Sequence, residues 1–388
     1  MSQYWAIKFF QHLVSQRLLW FVCDHRQIHL SRDARVCQLE SCCKVRPFCF
    51  CGIFAENALA LKTKILVVRF SSIGDIVLTT PILRCIKAQL PGSEVHYITK
   101  ATFEGILKPN PNIDKVYSIQ KSISEVLPQL KAEKYDYIVD LQKNLRSLAL
   151  RYKLGKPAGS FNKLNFRKYL YVRFKWNVMP AIHIVDRYFE ALSKLGVTND
   201  EKGLDFFIPE SANVTYSSIS NELEEAYHVL VIGAKHATKQ IPVQLARDII
   251  LKSQLPIVLA GGPEDKEKGD AIAEGLTHKV INACGKLSLL QSASLIEHAN
   301  KVITADTGLM HIAAALHKKI IVVWGNTVPA FGMGPYLPNE PQKVFQSEVT
   351  DLSCRPCSKL GHKKCPQHHF DCMNKQDVGK IVQWLNQS

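Results

Sequence analysis

The chain has no apolar run approaching the ~20 residues that a membrane-crossing helix needs; Leu18 to Cys23 comes nearest and is far too short. Nor do the first residues contain an apolar core followed by a small-residue cleavage site, so a cytoplasmic protein is expected. No D-x-D triplet occurs anywhere, which removes the usual signature of a carboxylate-held divalent cation. Acidic residues are outnumbered, 34 against 49 Lys and Arg. Cysteine is nearly missing from the body of the chain. Of twelve, Cys23, Cys37, Cys42, Cys43, Cys49 and Cys51 precede the first convincing strand, and Cys354, Cys357, Cys365 and Cys372 cluster near the other end. Only Cys85 and Cys284 lie between, which is not the framework of a small disulfide-stapled protein; a reducing compartment fits better.

What is present begins with charge. A formal net charge of +15 calls for a polyanionic partner: nucleic acid, anionic lipid, or a phosphorylated or carboxylated substrate. The 388 residues, 46% hydrophobic and 21% charged, are enough for two domains with cores of their own. Residues 1–61 stand apart as a basic, cysteine-rich extension without strand–helix alternation. Within it, Tyr4 to Val22 can be written as an amphipathic helix with Ile7, Phe10, Val14, Leu18 and Phe21 on one stripe, a pattern that suits a membrane-surface anchor. The competing reading is a poorly ordered tail outside the working protein.

From Lys64 the pattern turns regular. KILVVRF (64–70), VHYIT (95–99), KVYSI (115–119) and YIVDL (137–141) read as strands separated by helical stretches. The first helix opens with Thr80 as cap and Pro81 behind it, and stops at Pro91-Gly92. His183 to Leu195 reads as one long closing helix. Residues 198–210 form a polar linker. HVLVIG (228–233), PIVLAG (256–261), VIN (280–282), KVIT (301–304) and KIIVVWG (319–325) repeat the alternation, with helices after Pro242 and Pro263. Strands alternating with helices predict an α/β protein of two Rossmann-like, doubly wound parallel sheets, 62–200 and 201–388.

In such sheets ligands bind beyond the carboxyl ends of the strands, and three loops there carry chemistry. Ser71-Ser72-Ile73-Gly74-Asp75 follows the first strand. A dinucleotide loop would read G-x-G-x-x-G; this one has a single glycine, which argues against a nicotinamide or flavin enzyme. Asp75 is placed to take a proton from an incoming hydroxyl, or only to favour the positive end of a helix. Thr304 to His311 follows KVIT; Gly308 at a helix start lets backbone amides approach a pyrophosphate, while Asp306 and Thr307 also suit helix caps and His311 also suits simple packing. Gly233 to Gln240 offers Lys235 and Lys239 to a phosphate.

Together and in this order, the loops resemble glycosyltransferase family 9, the ADP-heptose:lipopolysaccharide heptosyltransferases, over about residues 64–388. SSIGD matches the family's S-S-x-G-D loop, whose aspartate is the proposed base. The resemblance therefore implies Asp75 as base, with Ser72 and Gly74 on the acceptor side. ADTGLMH matches D-T-[SG]-x-x-H and implies donor binding by Asp306, Thr307, Gly308 and His311. Lys239 takes the place of the lysine before the family's W-P pair, which here reads Ile241-Pro242. AGGPEDKE (260–267) resembles the ribose-holding loop, with Glu264 and Asp265 both candidates. The implied fold is GT-B. The implied reaction is inverting, metal-independent transfer of heptose from ADP-heptose to a lipid A-linked acceptor of the lipopolysaccharide core. No cofactor is implied beyond that nucleotide sugar.

Between Leu141 and Ile184 there is no Asp or Glu, yet ten Lys and Arg alternate with Phe161, Phe166, Tyr169, Tyr171, Phe174 and Trp176. Such a mixture suits stacked single-stranded nucleic acid or an anionic lipid surface. In a family 9 enzyme it is the acceptor and membrane face, with Asn144 and Arg146 as direct contacts, peripheral to the inner face of the cytoplasmic membrane and without nucleic acid. Cys354-x2-Cys357-x7-Cys365-x6-Cys372 has the ligand count of a zinc site, but its spacing is not that of a zinc ribbon, so packing or occasional disulfides rather than metal are expected. A sugar-nucleotide epimerase of the same build and a nucleic-acid-binding protein are the alternatives.

Overall fold

The computed structural model describes residues 63–214, 226–276 and 278–387, together with Val22–Cys23 and Arg26–Gln27. Two units divide the chain, Met1–Leu59 and Ala60–Ser388. In the first, Val22–Cys23 pairs antiparallel with Arg26–Gln27. The rest of the 1–61 extension, including the amphipathic stretch up to Phe21, lies outside the described residues.

The second unit contains two parallel sheets. The first comprises β1 (Lys64–Val68), β2 (Glu94–Lys100), β3 (Lys115–Ile119), β4 (Tyr137–Asp140) and β5 (Ala158–Ser160), in the order β3-β2-β1-β4-β5. The second comprises β6 (His228–Val231), β7 (Ile257–Ala260), β8 (Val280–Asn282), β9 (Lys301–Thr304), β10 (Lys319–Trp324) and β11 (Val344–Glu348), in the order β8-β7-β6-β9-β10-β11. Each is the doubly wound order, reversing direction between its first and fourth strands; that switch point leaves a crevice for ligand. The central strands are Val/Ile/Leu runs because helices cover both faces: Ile65 to Val68 and Ile320 to Val323 are fully buried.

Five helices position the site: α1 (Ile73–Val77), α2 (Thr80–Gln89), α3 (Leu145–Leu154), α4 (Asn165–Phe174) and α5 (Gly308–Ala315). β1, β4, β6, β7 and β10 end one or two residues before their apolar runs do, because the last residues of those runs turn into the loops; β3, β8 and β9 end where expected, and β2 runs one residue further, to Lys100. The cap of α2 is Thr79, so Thr80 and Pro81 occupy its first two positions. The single helix expected over His183 to Leu195 is instead an α-helical turn, Ile184–Tyr188, followed by a 3₁₀ segment, Phe189–Leu195. Three residues per turn place Tyr188 and Ala191 on one buried side. The backbone there lies so close to β5 that a Cβ on Gly159 would fall 1.9 Å from the Ala191 carbonyl oxygen. The polar stretch 198–210 is strapped down: Arg84 holds Asp200 through two 2.8 Å contacts and also binds Asp205 and the Gly203 carbonyl. Sequence periodicity missed β5, β11 and the terminal helix Val378–Asn386. One hydrophobic cluster runs from Ile65 and Val67 through Ile76 and Tyr188 to Met310 and Trp324, so the two sheets share a core.

Candidate active site

The loop after β1 and the loop after β9 meet head to head. Helix α1 packs on α5, and two glycines make the approach possible. A Cβ on Gly74 would lie 2.5 Å from His311 Cδ2, and one on Gly308 would lie 2.9 Å from the Ile73 side chain. Any larger residue at either position would force the helices apart. His311 is 3% exposed, its Nδ1 has no hydrogen-bond partner, and burial pushes its pKa down to about 4. It is therefore a neutral ring wedged into the helix contact.

Asp75 occupies the third position of α1. One carboxylate oxygen accepts from Ser72 N at 3.1 Å and Ser72 Oγ at 2.8 Å; the other lies 2.6 Å from a guanidinium nitrogen of Arg69. Burial opposes ionisation of this carboxyl, but Arg69 and the Ser72 donors outweigh it and hold its pKa below the usual carboxylate range. Arg69 is itself anchored: it donates to the carbonyls of Ser71 (2.8 Å) and Leu141 and to Tyr188 Oη (3.3 Å).

Across the helix contact, Asp306 accepts from Lys239 Nζ at 2.5 Å and Thr327 Oγ1 at 2.9 Å. It is not a helix cap. Thr307 is, with its hydroxyl accepting from Met310 N at 3.3 Å. Lys239 comes from a 3₁₀ turn, Ala237–Lys239, so the loop after β6 and the loop after β9 converge at that sheet's switch point. Of the two acids after β7, Asp265 is 4% exposed and spends its carboxylate on Gly262 N at 2.9 Å. Glu264 is exposed beside it and is the one free to meet a ligand.

Asn144 is foremost a cap of α3: its Oδ1 accepts from Ser147 N at 3.0 Å. Arg146 is exposed, its guanidinium 5.7 Å from the Phe70 ring centroid. Both line a pocket of ≈ 390 Å³ with Phe70, Ser71, Lys100, Gln142 and Leu145, at the carboxyl ends of β1, β2 and β4.

The family model of glycosyltransferase family 9 (heptosyltransferase) matches residues 123–365, well over half of the chain. The chain belongs to glycosyltransferase family 9. This family 9 enzyme is 26% identical over 329 residues to lipopolysaccharide heptosyltransferase 1 of Pseudomonas aeruginosa, covering 76% of the chain and 86% of that protein. Among solved structures, a family 9 glycosyl transferase from Veillonella parvula superposes with a TM-score of 0.60 at 27% identity, covering 73% of this chain and 85% of that one. The E. coli ADP-heptose lipopolysaccharide heptosyltransferase II superposes with a TM-score of 0.61 at 20% identity, over 84% and 98% of the respective chains. The fold is GT-B and the enzyme a glycosyltransferase.

Sequence reasoning passed over several residues of this glycosyltransferase that the fold brings to the cleft. Arg69 closes the apolar run of β1, where a lone arginine before S-S-x-G-D was the available signal. Lys100 ends β2, and Gln142 follows the end of β4 by two residues, on the other side of β1. Lys168 sits on α4, 9% exposed, with its ammonium 5.6 Å from the Phe331 ring of the other half. Burial and Arg187 push it down to about 8, opposed by the fields of Asp75 and Asp306.

The four cysteines near the C-terminus are free thiols, as are Cys85 and Cys284. Cys372 is buried, and Cys354 Sγ lies 3.9 Å from His369 Nε2. Among the described residues, the compact group with metal-ligating atoms is Glu94, His96 and Glu133. Its carboxylates are already engaged, Glu133 by Lys64 and Lys115 at 2.7 Å each and Glu94 by Lys64 at 3.1 Å, so it is a compensated ion network. No helix among the described residues is long and apolar enough to cross a membrane.

Proposed function

We propose that this enzyme moves heptose from ADP-heptose to a hydroxyl of a lipid A-linked acceptor of the lipopolysaccharide core, with inversion and without a metal ion. The observation that carries this reading is the meeting of α1 and α5. An ionised Asp75 stands on one side of the contact and the Lys239–Asp306 pair on the other, so a proton acceptor and an anion-binding group face one cleft. The relatives support the choice of substrates: one solved structure is an E. coli heptosyltransferase, WaaC, with ADP, and the P. aeruginosa relative is a lipopolysaccharide heptosyltransferase.

In this mechanism the acceptor hydroxyl oxygen attacks the anomeric carbon as its proton passes to Asp75, and the bond from that carbon to the diphosphate oxygen breaks on the opposite face. A carboxylate held below its usual pKa is a weak base for a free alcohol. It suffices once the forming C–O bond has made the hydroxyl acidic, and the Arg69 pair keeps it unprotonated until then. Charge growing on the departing diphosphate meets the first amides of α5 and the Lys239 ammonium, which leaves Asp306 to compete for that lysine only in the empty enzyme. Glu264 takes the ribose. The acceptor's acidic sugars enter the pocket lined by Lys100, Asn144 and Arg146, which keeps the first half at the cytoplasmic membrane surface.

The reaction is tested by incubating the enzyme with ADP-heptose and a lipid A-linked core acceptor, with and without a chelator, and reading the linkage by NMR. A heptosylated product of inverted anomeric configuration, formed equally with chelator, is expected. Release of free heptose alone, retention of configuration or loss of transfer with chelator would each break a stated part.

A further inference from the structure

The loop over residues 352–370 belongs to neither sheet, yet its polar groups are spent on two turns beside the Lys239–Asp306 pair. Arg355 is 8% exposed. Its Nε donates to the Gly325 carbonyl at 2.7 Å and a terminal nitrogen donates to the Thr327 carbonyl at 2.9 Å. Cys357 N donates to the Asn326 carbonyl between them, at 3.2 Å. Three consecutive carbonyls of the turn after β10 are thus taken by one short segment. The same guanidinium also reaches the Val349 carbonyl and, at 3.0 Å, the Glu348 carboxylate. A planar fork of five N–H donors can serve so many acceptors at once, whereas an ammonium offers three hydrogens from a single point.

Further along, the loop latches the turn that carries Lys239. Thr238 N and Oγ1 donate to the His362 carbonyl at 3.3 Å and 3.2 Å, and His362 N donates back to Thr238 Oγ1 at 2.8 Å. The two turns also touch, since a Cβ on Gly325 would fall 2.7 Å from the Thr238 carbonyl oxygen. Their side chains converge. Thr327 Oγ1 and Lys239 Nζ donate to the same oxygen of Asp306, at 2.9 Å and 2.5 Å. Lys239 follows β6 and Thr327 follows β10, so nothing local sets the spacing between them; the loop grips both turns and sets it. The first half steadies the grip, because Lys175 Nζ donates to the carbonyls of Cys354 and Pro356, on either side of Arg355, at 3.0 Å and 2.9 Å. Side chains ordered before a ligand arrives lose less entropy on binding it.

We infer that Arg355 and Thr238 are positioning residues for the donor, holding the turns of Thr327 and Lys239 at the spacing that a diphosphate requires without touching it themselves. The inference rests on the proposed reading of Lys239 as a diphosphate contact.

The test is calorimetry of ADP binding to the full chain, with Arg355→Met, Arg355→Lys and Thr238→Val beside the wild type. Arg355→Met and Thr238→Val should each weaken ADP roughly 3- to 30-fold, the size of effect carried through an intermediate group, with acceptor KM unchanged. Arg355→Lys should recover part of the loss. Thr238→Val keeps the shape of the side chain and removes only the latch, so it decides the matter where Arg355→Met fails to fold. A merely structural role would lower the unfolding temperature and leave the ADP affinity of the folded protein alone; that result in both variants overturns the inference. So does an undiminished loss when Arg355→Met is added to Lys239→Ala, because a positioning effect shrinks once the ammonium it positions is gone. Wild-type ADP affinity in Lys239→Ala would count against the proposed reaction instead. The grip of the loop is then read by hydrogen exchange at residues 237–239: faster exchange in Arg355→Met upholds it, and exchange at the wild-type rate overturns it.

Discussion

The two halves place their functional loops at the same topological position and load them in opposite ways. In the first half, the loops after the first and fourth strands, β1 and β4, surround a carboxylate held by Arg69 from its own sheet. In the second half the loops after β6 and β9, again first and fourth, bring Lys239 from one to Asp306 on the other. The first half pairs its carboxylate with an arginine that keeps it ionised; the second pairs a lysine with a carboxylate, the contact that the proposed reaction has the diphosphate replace. In the proposed reaction one fold thus supplies both a base and an anion seat, and the difference between the halves is a matter of which side chain each strand end carries.

The largest effect expected from breaking that division is at Asp75. Asp75→Asn keeps the shape and removes the proton acceptor, so turnover should fall by roughly 10²–10⁴ while ADP binding, followed by calorimetry, hardly moves. Near-normal turnover on the true acceptor would return Asp75 to a helix-start role. On the other side, Lys239→Ala and Asp306→Ala should weaken ADP binding itself. A lost charge-assisted hydrogen bond is worth ~1.5–3 kcal/mol, or roughly 10- to 100-fold. Unchanged ADP affinity in both variants would separate this pair from the diphosphate.

Gly74→Ala attacks the contact between the halves. Its Cβ would sit 2.5 Å from His311 Cδ2, and overpacking of this kind costs ~1–3 kcal/mol, to be read by denaturant unfolding. Stability equal to wild type would mean that the two helices yield easily. A pH profile sharpens the role of Arg69. Its pairing lowers the folded-state pKa of Asp75, so the stabilisation it lends is present above the unfolded value, ~3.9, and is lost as pH falls through the folded one. Activity should therefore show no carboxylate limb near neutrality. In Arg69→Met the desolvation that now loses would win, and the acidic limb should move to higher pH, with activity recovering above it. An unmoved limb would show that another group sets the profile. The smallest effect expected is at Asn144. Asn144→Ala removes a cap and should cost ~1 kcal/mol in thermal unfolding; a large rise in acceptor KM at unchanged stability would instead make it an acceptor ligand.

Much of this was legible from residue order alone. Val/Ile/Leu runs at regular intervals determine two parallel sheets, because buried strands and covering helices leave that periodicity behind. Ser71 to Asp75 and Thr304 to His311 were legible as loops at the carboxyl ends of strands because each follows such a run directly. The loop reading could not separate Glu264 from Asp265, which are neighbours in the chain; burial separates them, since Asp265 turns in to cap Gly262. Nor could it see that Asn144 caps a helix, that Lys168 crosses to Phe331, or that Arg69 and Asp75, six positions apart, form an ion pair. The acid-free stretch after Leu141 was legible as a run of basic and aromatic residues, yet which of its apolar side chains face outward depends on helix rotation against the core. Local order determined the elements and the chemistry at their ends. Which polar groups meet across the cleft, and which are consumed in holding the fold, was decided by packing, because those contacts join residues far apart in the chain and only burial sets their partners.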